Sequence, residues 1–214
     1  VFALIVVVGI ATLLFHPEHI VRVKHDMIAA IFYVSNWWYI AKDVNYFEQF
    51  SFMPLKHLWS LAIEEQFYLF FPAVLLLFMA IVKKKKNVIL MFWIISLVSL
   101  LMMVVISQPH LNHSRVYFGT DTRLQTLLLG VLLAFIWPPF KLNPNPPKGL
   151  KTVINSAGII GLTFLILLSF TVSDESDWIY NGGFYLISTM TLLIIASVVH
   201  PTTILAKLLG NPLF

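Results

Sequence analysis

The stretch "PLKHLWSLAIEEQFYLFFP", residues 54–72, places one histidine, two adjacent glutamates and a tyrosine in an otherwise apolar run. From Leu61 to Val82, Glu64 and Glu65 are the only charges. Carboxylates cost free energy in lipid, so a helix that carries two of them needs a use or a partner for each. Pro54 suits a helix entry, since its missing N–H is tolerated in a first turn. With the helix established by His57, a step of 100° per residue puts Glu64 about 20° behind it and Tyr68 about 20° ahead. His57, Glu64 and Tyr68 then form one stripe, with Glu65 about 80° round. A histidine, a carboxylate and a phenol on one face can relay protons or orient a hydroxyl nucleophile. The structural alternative is that two carboxylates near a helix start simply favour the positive end of its dipole.

A second polar cluster is "YFGTDTRLQTLLLGVLLA", Tyr117 to Ala134. Arg123 opens a run that carries no further formal charge as far as Pro139. Thr120 or Asp121 is placed to cap that helix. Two readings of Arg123 stand side by side. Its guanidinium snorkels to the interface, or it enters the bundle to pair with Glu64 or Glu65 or to hold an anionic substrate group.

Other polar residues carry less. Tyr33, Trp37, Trp38 and Tyr39 read as an interfacial aromatic belt. His16, His19 and His25 lack a helical ligand spacing, and His110 and His113 have only Asp121 as a nearby carboxylate, so no metal site is expected. Gly158 and Gly161 have the spacing of close helix packing. With no cysteine, thiolate metal sites and disulfides are excluded.

The elements that position these residues are membrane helices. The chain of 214 residues is 59% hydrophobic and 11% charged, with mean hydropathy +0.86. Soluble domains carry about 25% charged residues. Asn87 to Ser107, Thr152 to Val172 and Asn181 to Val199 hold no Asp, Glu, Lys or Arg. Each is long enough to cross a hydrocarbon core of about 30 Å as a helix. Apolar segments at 1–15, 26–41, 61–82, 87–107, 121–139, 152–172 and 181–199 predict an all-α, polytopic bundle of about six spans plus one short or re-entrant segment, 26–41. The net charge of +4 does not point to nucleic acid, because four of the fourteen basic residues are Lys83 to Lys86, in a tight loop between spans. Lysine-rich loops at 83–86 and 140–151 are expected in the cytoplasm, which puts the loop before Leu61 outside.

The first stretch closely resembles the signature of the membrane acyltransferase-3 family, whose core reads roughly P-L-x-H-x-W-S-L-[SA]-[VI]-E-E-Q-F-Y. His57, Trp59, Ser60, Leu61, Glu64, Glu65, Gln66, Phe67 and Tyr68 match it. "YFGTDTRLQTLLLG" resembles a second family segment, with Arg123 at the family arginine. "SNWWYIAKDVNYF" is most similar to the branch that O-acetylates peptidoglycan in Gram-positive bacteria. The resemblance implies a multi-span bundle in the cell membrane that takes acetyl from acetyl-CoA, with no bound cofactor, and delivers it to hydroxyls of an envelope glycan. It also implies that His57, Glu64, Glu65 and Tyr68 serve the transfer path and that Arg123, Trp59 and Ser60 meet substrate, with a fused or separate extracellular domain as a further partner.

The family's arginine-ten-histidine pair and its R-x-x-R segment are not in this sequence. The expectation is therefore an internal piece, 1–214, of one transmembrane acyltransferase domain, inactive by itself. The family order makes 26–41 re-entrant. A rival class is a proton-coupled transporter or flippase of an envelope precursor, whose paired, broken helices in two similar halves the sequence does not display.

Overall fold

The computed structural model describes residues 1–47, 52–107, 113–173 and 176–210, and among these every regular element is helical. The chain divides into two compact units, Val1–Val88 with Val105–Leu124, and Ile89–Val104 with Gln125–Phe214. Helices α1 (Phe2–Phe15), α2 (Ile20–Ile31), α3 (Ser35–Ala41), α4 (Leu58–Ile81) and α6 (Ser114–Phe118) belong to the first unit. Helices α8 (Lys148–Thr171), α9 (Phe184–Val199) and α10 (Ile204–Leu209) belong to the second, and the division falls within α5 (Lys85–Ile106) and α7 (Thr120–Ile136).

Among the described residues, five stretches are long and apolar enough to cross a membrane: Leu58–Ile81, Lys85–Ile106, Thr120–Lys141, Lys148–Thr171 and Ile179–Val199. Their ends fall close to those of the segments expected from composition. They keep large apolar side chains outward, including Leu69 (73% exposed), Val105 (79%) and Phe170 (84%). Such faces are unfavourable in water and natural in lipid, so this is a polytopic α-helical membrane protein. The apolar helix α1 is shorter, at 14 residues.

Segment 26–41 is not one helix. It splits into the 12-residue α2, which begins at Ile20 and takes in Arg22 and Lys24, and the 7-residue α3. Neither reaches the length of a span. The break falls at Phe32–Val34, where Tyr33 adopts φ 54°. That backbone region is unfavourable for a bulky side chain, so tertiary contacts must hold it. In the first unit, Ile5 of α1, Ala30 of α2, Leu55 and Leu58 form an apolar core against which Val8, Met27 and Leu61 pack.

Helix α4 runs through Pro72, which leaves the Tyr68 carbonyl without its usual donor. In the second unit α8 lies against α9 along a glycine seam. A Cβ on Gly161 would stand 2.7 Å from the Met190 carbonyl oxygen, and one on Gly158 would overlap the Ser197 side chain. The two glycines therefore set the interhelical distance. The entry to α9 is a π turn, Ile179–Gly183, where Gly182 takes φ 112°, a conformation open to glycine.

Gly161→Ala is expected to lower the thermal unfolding midpoint of the intact protein in detergent, by the equivalent of about 1–3 kcal/mol. Gly130→Ala, which meets nothing within 4 Å, should leave the midpoint equal or slightly higher.

Candidate functional site

Two faces of α4 diverge. At 100° per residue, Gln66 lies within about 20° of Trp59, whereas Tyr68 is about 180° and Glu64 about 140° away from it. The Trp59 side is the packed one, with Trp59, Ala62 and Ile63 buried. His57 is the N-cap residue and is exposed, as is Ser60, whose hydroxyl donates to the His57 carbonyl at 3.3 Å. Tyr68 is 60% exposed. Glu64 and Glu65 are half-buried, and among the described residues neither carboxylate has a hydrogen-bond or ion-pair partner. The expected stripe of His57, Glu64 and Tyr68 thus exists as a helix face, without hydrogen bonds linking its members.

The packed face carries a polar ring that sequence reasoning missed. Asn36 of α3, fully buried, donates from Nδ2 to Thr120 Oγ1 at 2.9 Å and to the Phe118 carbonyl at 3.1 Å. Thr120 donates onward to Gln66 Oε1 at 2.7 Å. Gln66 Nε2 closes the cycle on Asn36 Oδ1 at 2.9 Å and reaches the Tyr33 carbonyl at 2.7 Å. Three side chains donate and accept in one sense, which fixes both amide orientations. Thr120, with Asp121 one of two candidates to cap this helix, has its hydroxyl committed to this ring. The contact from Gln66 to Tyr33 also secures the left-handed residue at the α2–α3 break. A glutamine in an apolar run and an asparagine among aromatics were the available signals, since buried amides require partners.

Beside the ring lies an aromatic cluster. Tyr46 packs on Tyr117 at 4.2 Å between centroids, and Trp59 meets Tyr117 at 4.9 Å and Phe118 at 5.4 Å. The Arg123 guanidinium lies 4.3 Å from the Tyr117 ring and 5.5 Å from that of Trp59, while its Nε donates to the Tyr117 carbonyl at 3.1 Å. Arg123 and Trp59, both expected at substrate, are therefore brought together. No hydrogen bond or ion pair joins Arg123 to Glu64 or Glu65. The bidentate pair in this region is Arg115 with Asp121, at 3.1 and 2.7 Å. Gly119 makes room for it, since a Cβ there would overlap the Arg115 and Asp121 side chains.

The aromatic residues of α3 do more than face an interface. Tyr39 is 1% exposed and Trp38 Nε1 donates to Asp26 Oδ1 at 2.9 Å. Burial holds the Asp26 carboxyl above the usual carboxylate range, opposed by the Trp38 hydrogen bond and by Arg22. Burial, with the Asp26 charge, raises the Tyr39 phenol. His16 and His19 flank Glu18 at the surface, His19 stacking on Phe52 and His16 packing against it at a tilt. Among the described residues no three His, Cys, Asp or Glu side chains are grouped to hold a metal ion. His113 is buried beside Ser107, and His110 lies outside the described residues.

Over 212 residues, 99% of its length, the chain is 64% identical to a Staphylococcus aureus (strain COL) protein named "Putative O-acetyltransferase". It is 56% identical over 210 residues, 98% of its length, to the O-acetyltransferase OatA of S. aureus strain NCTC 8325. The chain is homologous to part of these proteins. It spans 35% of the length of each of them. These names agree with the acyltransferase resemblance carried by His57 to Tyr68 and by Arg123. No family model matches the chain, and no solved structure does.

Gly119→Ala is expected to cost about 1–3 kcal/mol of stability by displacing the Arg115–Asp121 pair. Tyr68→Phe, on the outward face, should leave the detergent unfolding midpoint within about 0.5 kcal/mol of wild type.

Proposed function

We propose that the longer protein carrying this chain is a cell-membrane O-acetyltransferase that moves acetyl from acetyl-CoA to hydroxyls of peptidoglycan or another envelope polysaccharide. The observation that carries this reading is the similarity, over nearly all of this chain and 35% of their own length, to proteins named O-acetyltransferases, in a chain whose Glu64 and Glu65 have no partner among the described residues.

The chemistry breaks the thioester C–S bond and forms an ester C–O bond. The acceptor hydroxyl loses its proton, and the coenzyme thiolate regains one. Such a reaction needs a base at the hydroxyl and an acid at the departing sulfur. Glu64 and His57 are assigned to that proton path, Tyr68 to orienting the hydroxyl or accepting the acetyl group transiently, and Glu65 to the field around it. Arg123, whose guanidinium lies 4.3 Å from the Tyr117 ring and 5.5 Å from that of Trp59, is assigned to substrate, together with Trp59 and Ser60. An arginine set among aromatic rings is a residue type suited to an anionic or carbonyl oxygen. The lysine loops at 83–86 and 140–151 are assigned to the compartment of the coenzyme.

The test uses membranes with the intact protein, supplied with acetyl-labelled acetyl-CoA, and follows label into base-labile glycan esters. Wild type should label glycan. Glu64→Gln should lose transfer by at least about 100-fold, the scale of a general acid–base contribution, while membrane insertion is unchanged. Equal labelling by both would remove Glu64 from the path.

A further inference from the structure

Helices α2 and α3, with Lys42, Val44 and Met53, line an open cavity of about 380 Å³ that the transfer site does not use. Arg22 and Lys42, both exposed, stand on its lining, and Lys42 Nζ is held 4.8 Å over the Trp38 ring. The same cavity is lined by Asp26 and Tyr39, which are 3% and 1% exposed. Asp26 uses one oxygen to accept from Trp38, while its Oδ2 and the Tyr39 hydroxyl are buried with no partner among the described residues. Buried polar atoms of this kind are normally satisfied, and both side chains belong to the lining of the cavity.

A second hollow, of about 360 Å³, adjoins the first through a shared wall of His25 and Trp38, whose rings stack at 5.8 Å. Its remaining lining is apolar, with Ile28, Phe32, Val34 and Trp37 all exposed. A cationic cavity with an apolar groove on the other side of His25 and Trp38 fits an amphiphile. The two arginine and lysine charges select a phosphodiester, and the orphaned carboxylate oxygen and phenol match hydroxyls carried on its far side. In a membrane protein the occupant with that chemistry is an anionic lipid with a hydroxylated headgroup.

We propose that the α2–α3 corner binds a phosphatidylglycerol-type lipid, with its phosphate at Arg22 and Lys42, its headgroup hydroxyls at Asp26 and Tyr39, and an acyl chain along Phe32 and Trp37. The site is separate from the residues assigned to acetyl transfer, and its existence does not depend on that assignment.

The test titrates the full-length protein in neutral detergent with short-chain phosphatidylglycerol, and in parallel with short-chain phosphatidylcholine, glycerol 1-phosphate and inorganic phosphate, by native mass spectrometry. Phosphatidylglycerol should bind at least about tenfold more tightly than phosphatidylcholine. Arg22→Gln with Lys42→Gln, both at exposed positions, should weaken it about tenfold. Lys24→Gln with Lys148→Gln, which removes the same charge elsewhere, should not. Phe32→Ser should weaken the lipid without changing glycerol 1-phosphate. Equal binding of the two lipids overturns the proposal. So does equal weakening by both charge-removing pairs, which would mean diffuse attraction, or inorganic phosphate binding as tightly as the lipid, which would mean a free oxyanion site.

Discussion

The closed ring of Gln66, Asn36 and Thr120 is the constraint from which the rest of the first unit follows. Each of its members comes from a different element: α4, α3 and the first residue of α7. A buried amide that loses its partner costs about 1–3 kcal/mol, so the three elements have one satisfactory arrangement. Trp59 lies two turns before Gln66 on the same face, and Arg123 lies one turn after Thr120. Once the ring closes, the indole and the guanidinium are carried to the same aromatic cluster. The strained Tyr33 backbone is tied to the ring through its carbonyl.

This arrangement divides the labour of α4 between its sides. The Trp59–Gln66 side locks the fold and holds Arg123 on aromatic faces. The opposite side keeps Glu64, Glu65 and Tyr68 out of that lock, with no partner among the described residues to quench the carboxylates. Glutamates that served only to fasten the helix would be expected in hydrogen bonds or ion pairs. Adjacent Gln66, which differs from glutamate by one amide, does the fastening instead.

The spans were legible because length and charge exclusion are local properties: 61–82 became Leu58–Ile81 and 152–172 became Lys148–Thr171. The packing glycines of α8 were also legible, since close approach leaves a spacing in the sequence. Segment 26–41 was legible only as short or re-entrant, because an apolar, aromatic run has the same composition whether or not a turn interrupts it. The break depends on Tyr33 at φ 54°, held by a glutamine that lies on another helix. Tyr39 read as an interface residue for the same reason, its burial being set by Phe118 and Asp26 rather than by neighbours in sequence. The motif residues Trp59 and Arg123 were legible by type, and their juxtaposition was not. Sequence spacing specifies faces, while partners far apart in the chain are specified by the polar ring.

The central claim is that this ring acts as one cooperative unit, and the most direct measurement is a double-mutant cycle on unfolding free energy of the intact protein in detergent. Gln66→Met and Thr120→Val keep volume while removing the hydrogen bonds. The account predicts that the double variant is less destabilised than the sum of the single ones, with a coupling above about 1 kcal/mol. Strict additivity, within about 0.3 kcal/mol, would contradict it and leave the placement of Trp59 and Arg123 without its cause.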